Sequence, residues 1–79
     1  MEEEENMDEN EILKTIIEYK ARRNMSDEKW AQFLGISWGY WSRIKNRQRR
    51  ITNNFLVTVA AKCPEIQLEV FQFMRKKGG

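Results

Sequence analysis

The chain has 79 residues, 41% of them hydrophobic and 33% charged, with 14 basic and 12 acidic side chains and a net charge of +2. So short a chain forms one small domain that buries only about 60% of its unfolded surface, too little for a deep catalytic cleft beside a solid core. Four glycines and one proline argue against an all-β fold with many turns, and one cysteine with no histidine excludes an internal disulfide and argues against a zinc site.

The charge is unevenly spread. Residues 1–11 hold seven acids (Glu2, Glu3, Glu4, Glu5, Asp8, Glu9, Glu11) and no base, so the remaining 68 residues carry 14 bases against five acids, a net of +9. A basic body with an acidic start points to an anionic partner. The start lacks the apolar stretch of a signal peptide, and no apolar run approaches the roughly 20 residues that cross a bilayer. The expectation is a cytoplasmic protein with no membrane contact.

In chain order, residues 1–8 are charged and aperiodic and read as a disordered acidic tail, or as a frayed extension of the first helix. The domain occupies 9–76, and 77–79 should fray. Helix 1 is predicted over 9–23, where Ile12, Ile16 and Tyr19 share one face with Leu13 and Ile17 beside them. Its acidic start and basic end, "KARRN", suit the helix dipole.

Three further starts share one signal. Ser26, Ser37 and Thr52 can each accept from the first turn of a helix. Met25, Ile36 and Ile51 precede them, and Trp30, Trp41 and Leu56 follow four residues later, the spacing of a hydrophobic staple. Helix 2 is therefore predicted at about 27–34, helix 3 at 38–46 and helix 4 at 53–62. Gly35 can end helix 2 in a left-handed conformation. Pro64 suits the first turn of helix 5, which runs to about Lys76 with Ile66, Val70, Phe73 and Met74 as its inner stripe. Cys63 falls in an apolar pattern and reads as a small buried hydrophobe.

Helices 2 and 3 are separated only by "GIS", which forces a sharp corner. Ala31 permits a close crossing, and Trp30, Leu34, Ile36, Trp41 and Ile44 bind the pair to the core. With Trp41 and Ile44 inward, helix 3 at 100° per residue turns Gly39, Ser42, Arg43 and Asn46 outward. Two of these are small, as a helix approaching base edges requires, and Arg43 can bond guanine O6 and N7 together. Lys45, Arg47, Gln48, Arg49 and Arg50 flank that face and suit phosphate. Five engaged cations give a log K against log salt slope near −4 to −5, from about 0.9 per contact.

The segment "SDEKWAQFLGISWGYWSRIKNRQRRIT" resembles the helix-turn-helix of Cro/CI-type (XRE family, lambda repressor-like) DNA-binding proteins, and the resemblance extends over about residues 10–75. It implies an all-α, compact five-helix domain whose third helix enters the major groove, and a bacterial or phage transcriptional regulator, often a dimer. Carried over position by position, it implies base contacts from Trp38, Gly39, Ser42 and Arg43 and a phosphate contact from Asn46. Family members commonly carry Gln facing a phosphate at the first position of helix 2. This chain has Asp27 there, whose charge phosphate repels, although the backbone N–H groups of that helix start remain as donors.

Two aromatics stay open between packing and binding. Trp38 either folds onto helix 2 or lies along a sugar or thymine methyl; Tyr40 either packs on helix 4 or offers its hydroxyl to phosphate. Leu68 and Phe71, off the inner stripe of helix 5, either pack on helix 1 or form a homodimer contact. The alternative to a DNA reader is a protein-interaction module, an adaptor or antitoxin, on the same fold. No nucleophile with a base, no glycine-rich phosphate loop and no metal set is present to suggest an enzyme, a cofactor or a small-molecule effector site.

Overall fold

The computed structural model describes the backbone of residues 2–78 and the side chains of residues 9–76. The chain is all-helical: α1 (Glu2–Arg22), α2 (Asp27–Leu34), α3 (Trp38–Lys45), α4 (Asn53–Lys62), a 3-10 turn (Pro64–Ile66) and α5 (Gln67–Gly78), with no strand among the described residues. The three capping residues act as their spacing predicts. Ser26 Oγ accepts from the N–H of Lys29 at 3.1 Å, Ser37 Oγ from Tyr40 at 3.1 Å and Thr52 Oγ1 from Phe55 at 3.2 Å.

The helix ends are equally regular. Asn24, Gly35 and Arg47 take left-handed conformations at φ 56°, 77° and 61°. At each, two N–H groups close the preceding helix: Asn24 to Ala21 and Met25 to Lys20, Gly35 to Gln32 and Ile36 to Ala31, Arg47 to Ile44 and Gln48 to Arg43. That pairing satisfies carbonyls the helix itself leaves open. The α1–α2 and α2–α3 corners thus share one three-residue plan: a left-handed residue, an apolar residue, then the capping serine ("NMS" and "GIS"). The apolar residue serves both helices, following one and stapling the next. The α3–α4 connection follows the plan with Gln48, Arg49 and Arg50 inserted ahead of Ile51 and Thr52.

The first and last helices start differently from the sequence expectation. The backbone of α1 begins at Glu2, so residues 2–8 extend the helix; glutamates suit the positive end of its dipole. The expectation of a disordered tail at 1–8 and of fraying at 77–79 concerns side chains outside the described residues. Helix 5 opens as a 3-10 turn because Pro64 lacks an N–H and Ile66 bonds Cys63 O at 3.2 Å instead. Gln67 Nε2 then donates to Ala60 O at 3.0 Å, closing the end of α4.

Eighteen apolar side chains form one core, including Ile12, Leu13, Ile16 and Tyr19 of α1, Trp30, Ala31 and Leu34 of α2, Trp41 and Ile44 of α3, and Ile66, Val70 and Phe73 below; no buried side chain among the described residues is charged. Cys63 is fully buried, as its apolar setting suggests, and burial pushes its thiol up to about 11. A run of ring contacts threads the helices together: Tyr19 to Trp30 at 6.1 Å, Trp30 to Trp41 at 6.0 Å, Trp41 to Phe55 at 6.2 Å and Phe55 to Tyr40 at 6.3 Å. Such spacings are favourable for aromatic pairs.

Candidate nucleic-acid interface

With Trp41 and Ile44 buried, α3 presents the opposite stripe. Gly39, Arg43 and Asn46 are exposed and Ser42 is half-buried, at the i, i+3, i+4, i+7 spacing of one helix face. The Arg43 guanidinium makes no hydrogen bond or ion pair among the described residues. Asn46 caps α3 and lies 3.5 Å from Ser42 Oγ through Nδ2. A Cβ built on Gly39 meets nothing within 4 Å, so no packing within the domain demands a glycine there.

The two open aromatics separate. Trp38 is 55% exposed at the first position of α3. Tyr40 packs at the edge of the core against Phe55, and its hydroxyl shares a 3.2 Å hydrogen bond with Thr52 Oγ1. The hydroxyl thus has an internal partner in Thr52, either oxygen being able to donate, and keeps the capacity for a further hydrogen bond. The ring carries Arg49, whose guanidinium carbon sits 5.1 Å above its centre, a cation–π contact that steadies a solvent-facing arginine. On α5, Leu68 (67%) and Phe71 (44%) are exposed rather than packed on α1. Val57, at 52%, adds an outward apolar residue on α4 that the sequence reading did not single out.

The cations flanking α3 are not equivalent. Lys45 Nζ lies 2.7 Å from Asp27 Oδ2, Arg47 Nε donates to Asn10 Oδ1 at 2.7 Å, and Arg50 Nη2 stands 3.6 Å from Glu9 Oε1. Gln48 is exposed. Lys45 thus shares the Asp27 carboxylate with Lys20, which offsets its charge only in part and sets an internal competitor against its assignment to phosphate. Arg47 keeps its charge because its partner is a neutral amide.

Asp27 explains the departure at the start of α2. Its Oδ1 accepts from the Trp41 indole at 3.1 Å and pairs with Lys20 at 3.2 Å, while Oδ2 holds Lys45. One carboxylate thereby ties α1, α2 and α3. The Lys45 bond, followed by those from Trp41 and Lys20, holds its pKa down at about 2 against a usual 3.8. A depressed carboxylate stabilises the fold above its unfolded pKa, and that stability is lost as pH falls. Wild type should lose about 1–2 kcal/mol between pH 4 and pH 2 that Asp27→Asn does not lose, after allowance for solvent screening of a partly exposed group. Urea denaturation of both proteins across that window measures it; parallel curves would remove Asp27 from the account.

A second polar cluster sits at the far end of α1. Tyr19 donates to Glu65 Oε1 at 2.6 Å, and Arg23 Nη1 donates to Tyr19 Oη at 3.1 Å. Burial first, then the Glu65 bond, raises the Tyr19 pKa to about 12. This cluster fastens α1 to the 3-10 turn.

Fold and surface together define a class: a small all-helical domain with one outward helix face of small, polar and cationic residues set among further cations. Comparison with protein-family models, with curated proteins and with solved structures gives no match. No helix among the described residues is long and apolar enough to cross a membrane, and no group of three or more acidic or cysteine side chains among them could hold a metal ion.

Proposed function

We propose that this chain is a Cro/CI-type (XRE, lambda repressor-like) helix-turn-helix reader of double-stranded DNA, working in the cytoplasm as a bacterial or phage transcriptional regulator. The corner between α2 and α3 is the helix-turn-helix, and α3 lies in the major groove, whose width of about 12 Å admits a helix. Gly39, Ser42 and Arg43 face the bases, with Trp38 alongside at the groove wall. Arg47, Gln48, Arg49 and Arg50 lie toward the phosphates with Asn46. The observation that carries this reading is the outward stripe of α3: small, polar and cationic residues, with Arg43 unpaired among the described residues, backed by a fully buried Trp41.

In vitro selection from random duplexes tests it. The expected result is enrichment of a short motif containing a guanine opposite Arg43; a pool that stays random would sink the proposal. Paired half-sites about 10 base pairs apart would place a homodimer on the DNA, and the exposed ridge of Leu68 and Phe71 is the surface proposed to join the two copies.

Gly39 supplies a second test. Alanine there should stabilise the fold by about 0.5 kcal/mol, since glycine weakens helices and the Cβ meets open space. The same methyl should weaken binding to the selected duplex several-fold by holding α3 off the base edges. Thermal melts and fluorescence anisotropy report the two effects separately, and a Gly39→Ala protein that melts higher yet binds equally well would show that close approach is not needed.

A second reading rests on the exposed Trp38, Val57, Leu68 and Phe71. Apolar residues so placed suit a protein partner, with the domain acting as an adaptor or antitoxin. Duplex binding without any sequence preference would favour it.

A further inference from the structure

We propose that Glu9 is a built-in competitor for DNA phosphate, attenuating the contribution of Arg50. The inference rests on the DNA-binding reading and deepens it. The carboxylate of Glu9 engages the basic loop twice: Oε2 accepts the backbone N–H of Ile51 at 3.2 Å, and Oε1 faces Arg50 Nη2 at 3.6 Å. A backbone N–H beside a guanidinium is a donor pair that phosphate also satisfies. In the free protein that pair is filled by an anion from the chain itself, across 41 and 42 residues of sequence.

The two partners differ in freedom. The Glu9 side chain is 23% exposed and held by the Ile51 N–H, so it is the fixed member. The Arg50 side chain is 81% exposed, so it is the mobile one. A phosphate arriving at the loop therefore recruits Arg50 by exchanging one anionic partner for another, rather than gaining a free cation. Neighbouring Arg47 suffers no such exchange, because Asn10 is neutral. Asparagine at position 10 steadies an arginine without consuming its charge; glutamate at position 9 consumes part of one. The consequence falls on affinity for every duplex alike, since a phosphate contact carries no base information, and it widens the share of discrimination left to Arg43.

The test uses the full chain with Glu9→Gln. The carboxamide oxygen can still accept from Ile51, so the loop keeps its anchor while the charge is gone. Affinity for both the selected and a scrambled duplex should rise about two- to fivefold at low salt, the range expected for releasing an exposed ion pair, and converge on wild type at high salt. In an Arg50→Ala background the same change should bring little gain. Equal or weaker binding by the Glu9→Gln protein would overturn the inference, as would a gain that persists without Arg50. If neither wild type nor variant binds any duplex, the DNA-binding reading fails and this inference with it. Binding by both with no difference between them defeats the competitor alone.

Discussion

Arg43→Ala should lower affinity for the selected duplex by about 10- to 100-fold, corresponding to about 1–3 kcal/mol for a bidentate arginine–guanine contact, while affinity for scrambled duplex falls only a few-fold. Arg49→Ala should instead weaken both duplexes alike. The division follows from where the side chains stand. Arg43 lies on the outward stripe of α3 with no internal partner among the described residues, whereas Arg49 lies in the loop beyond, steadied over the Tyr40 ring. The fold should not suffer in either case, because neither residue is buried. Salt dependence gives the same experiment a second axis. Sequence alone suggests five engaged cations, but Lys45 is held by Asp27. Arg50 is likewise paired with Glu9, so the slope of log K against log salt should be shallower than −4 to −5, and Arg49→Ala should flatten it by about one. Anisotropy titrations at four salt concentrations decide the matter. A protein in which Arg49→Ala relaxes sequence preference and Arg43→Ala does not would reverse the roles assigned here.

What could be read from the residues alone divides by distance along the chain. Ser26, Ser37 and Thr52 were legible because a cap bonds an N–H only three residues away, and the staple repeats the signal one residue to either side. Gly35 was legible because a three-residue corner leaves few conformations, and one of them favours glycine. The outward stripe of α3 followed from Trp41 and Ile44 alone. Asp27 shows the opposite case. Acid at the first position of a helix suits its dipole, and nothing local tells that the carboxylate also reaches Lys20, Trp41 and Lys45. Glu9 and Asn10 are likewise joined to the loop across some 40 residues, with no periodic trace. Arg47 hid for another reason. It takes a left-handed conformation that costs a non-glycine residue about 1 kcal/mol, and only the hydrogen bonds closing α3 make that conformation worthwhile. The three residues inserted after it are the basic loop itself. Of the three connections that begin with a left-handed residue, the lengthened one is thus the one that carries Arg47, Arg49 and Arg50.

The tryptophans offer the sharpest test of how α3 is held. Trp30 and Trp41 are both fully buried, in ring contact with each other at 6.0 Å, so burial alone ranks them equally. Their indole N–H groups do not. Trp41 donates to Asp27, and Trp30 Nε1 is buried without a partner among the described residues. Phenylalanine at either position removes ring volume from a close-packed interior, at a cost of about 1–2 kcal/mol. At Trp41 it also removes a hydrogen bond to a charged group, worth about 1.5–3 kcal/mol, and leaves Asp27 with one donor fewer. At Trp30 it removes a donor that folding had already stripped of water, so part of the volume loss is offset. Trp41→Phe should therefore destabilise the domain by about 3–4 kcal/mol and Trp30→Phe by about 1 kcal/mol or less. A chain of this length has roughly 4–12 kcal/mol in all, so the first change consumes a large part of the stability and the second does not. The effects should differ again in acid. Protonation of Asp27 weakens its bond from Trp41, so the penalty of Trp41→Phe should shrink as pH falls from 4 towards 2, while that of Trp30→Phe stays level. Urea denaturation followed by far-ultraviolet circular dichroism reads both. Equal penalties at the two positions would mean that the indole–carboxylate bond holds nothing, and that α3 is seated by ring packing alone.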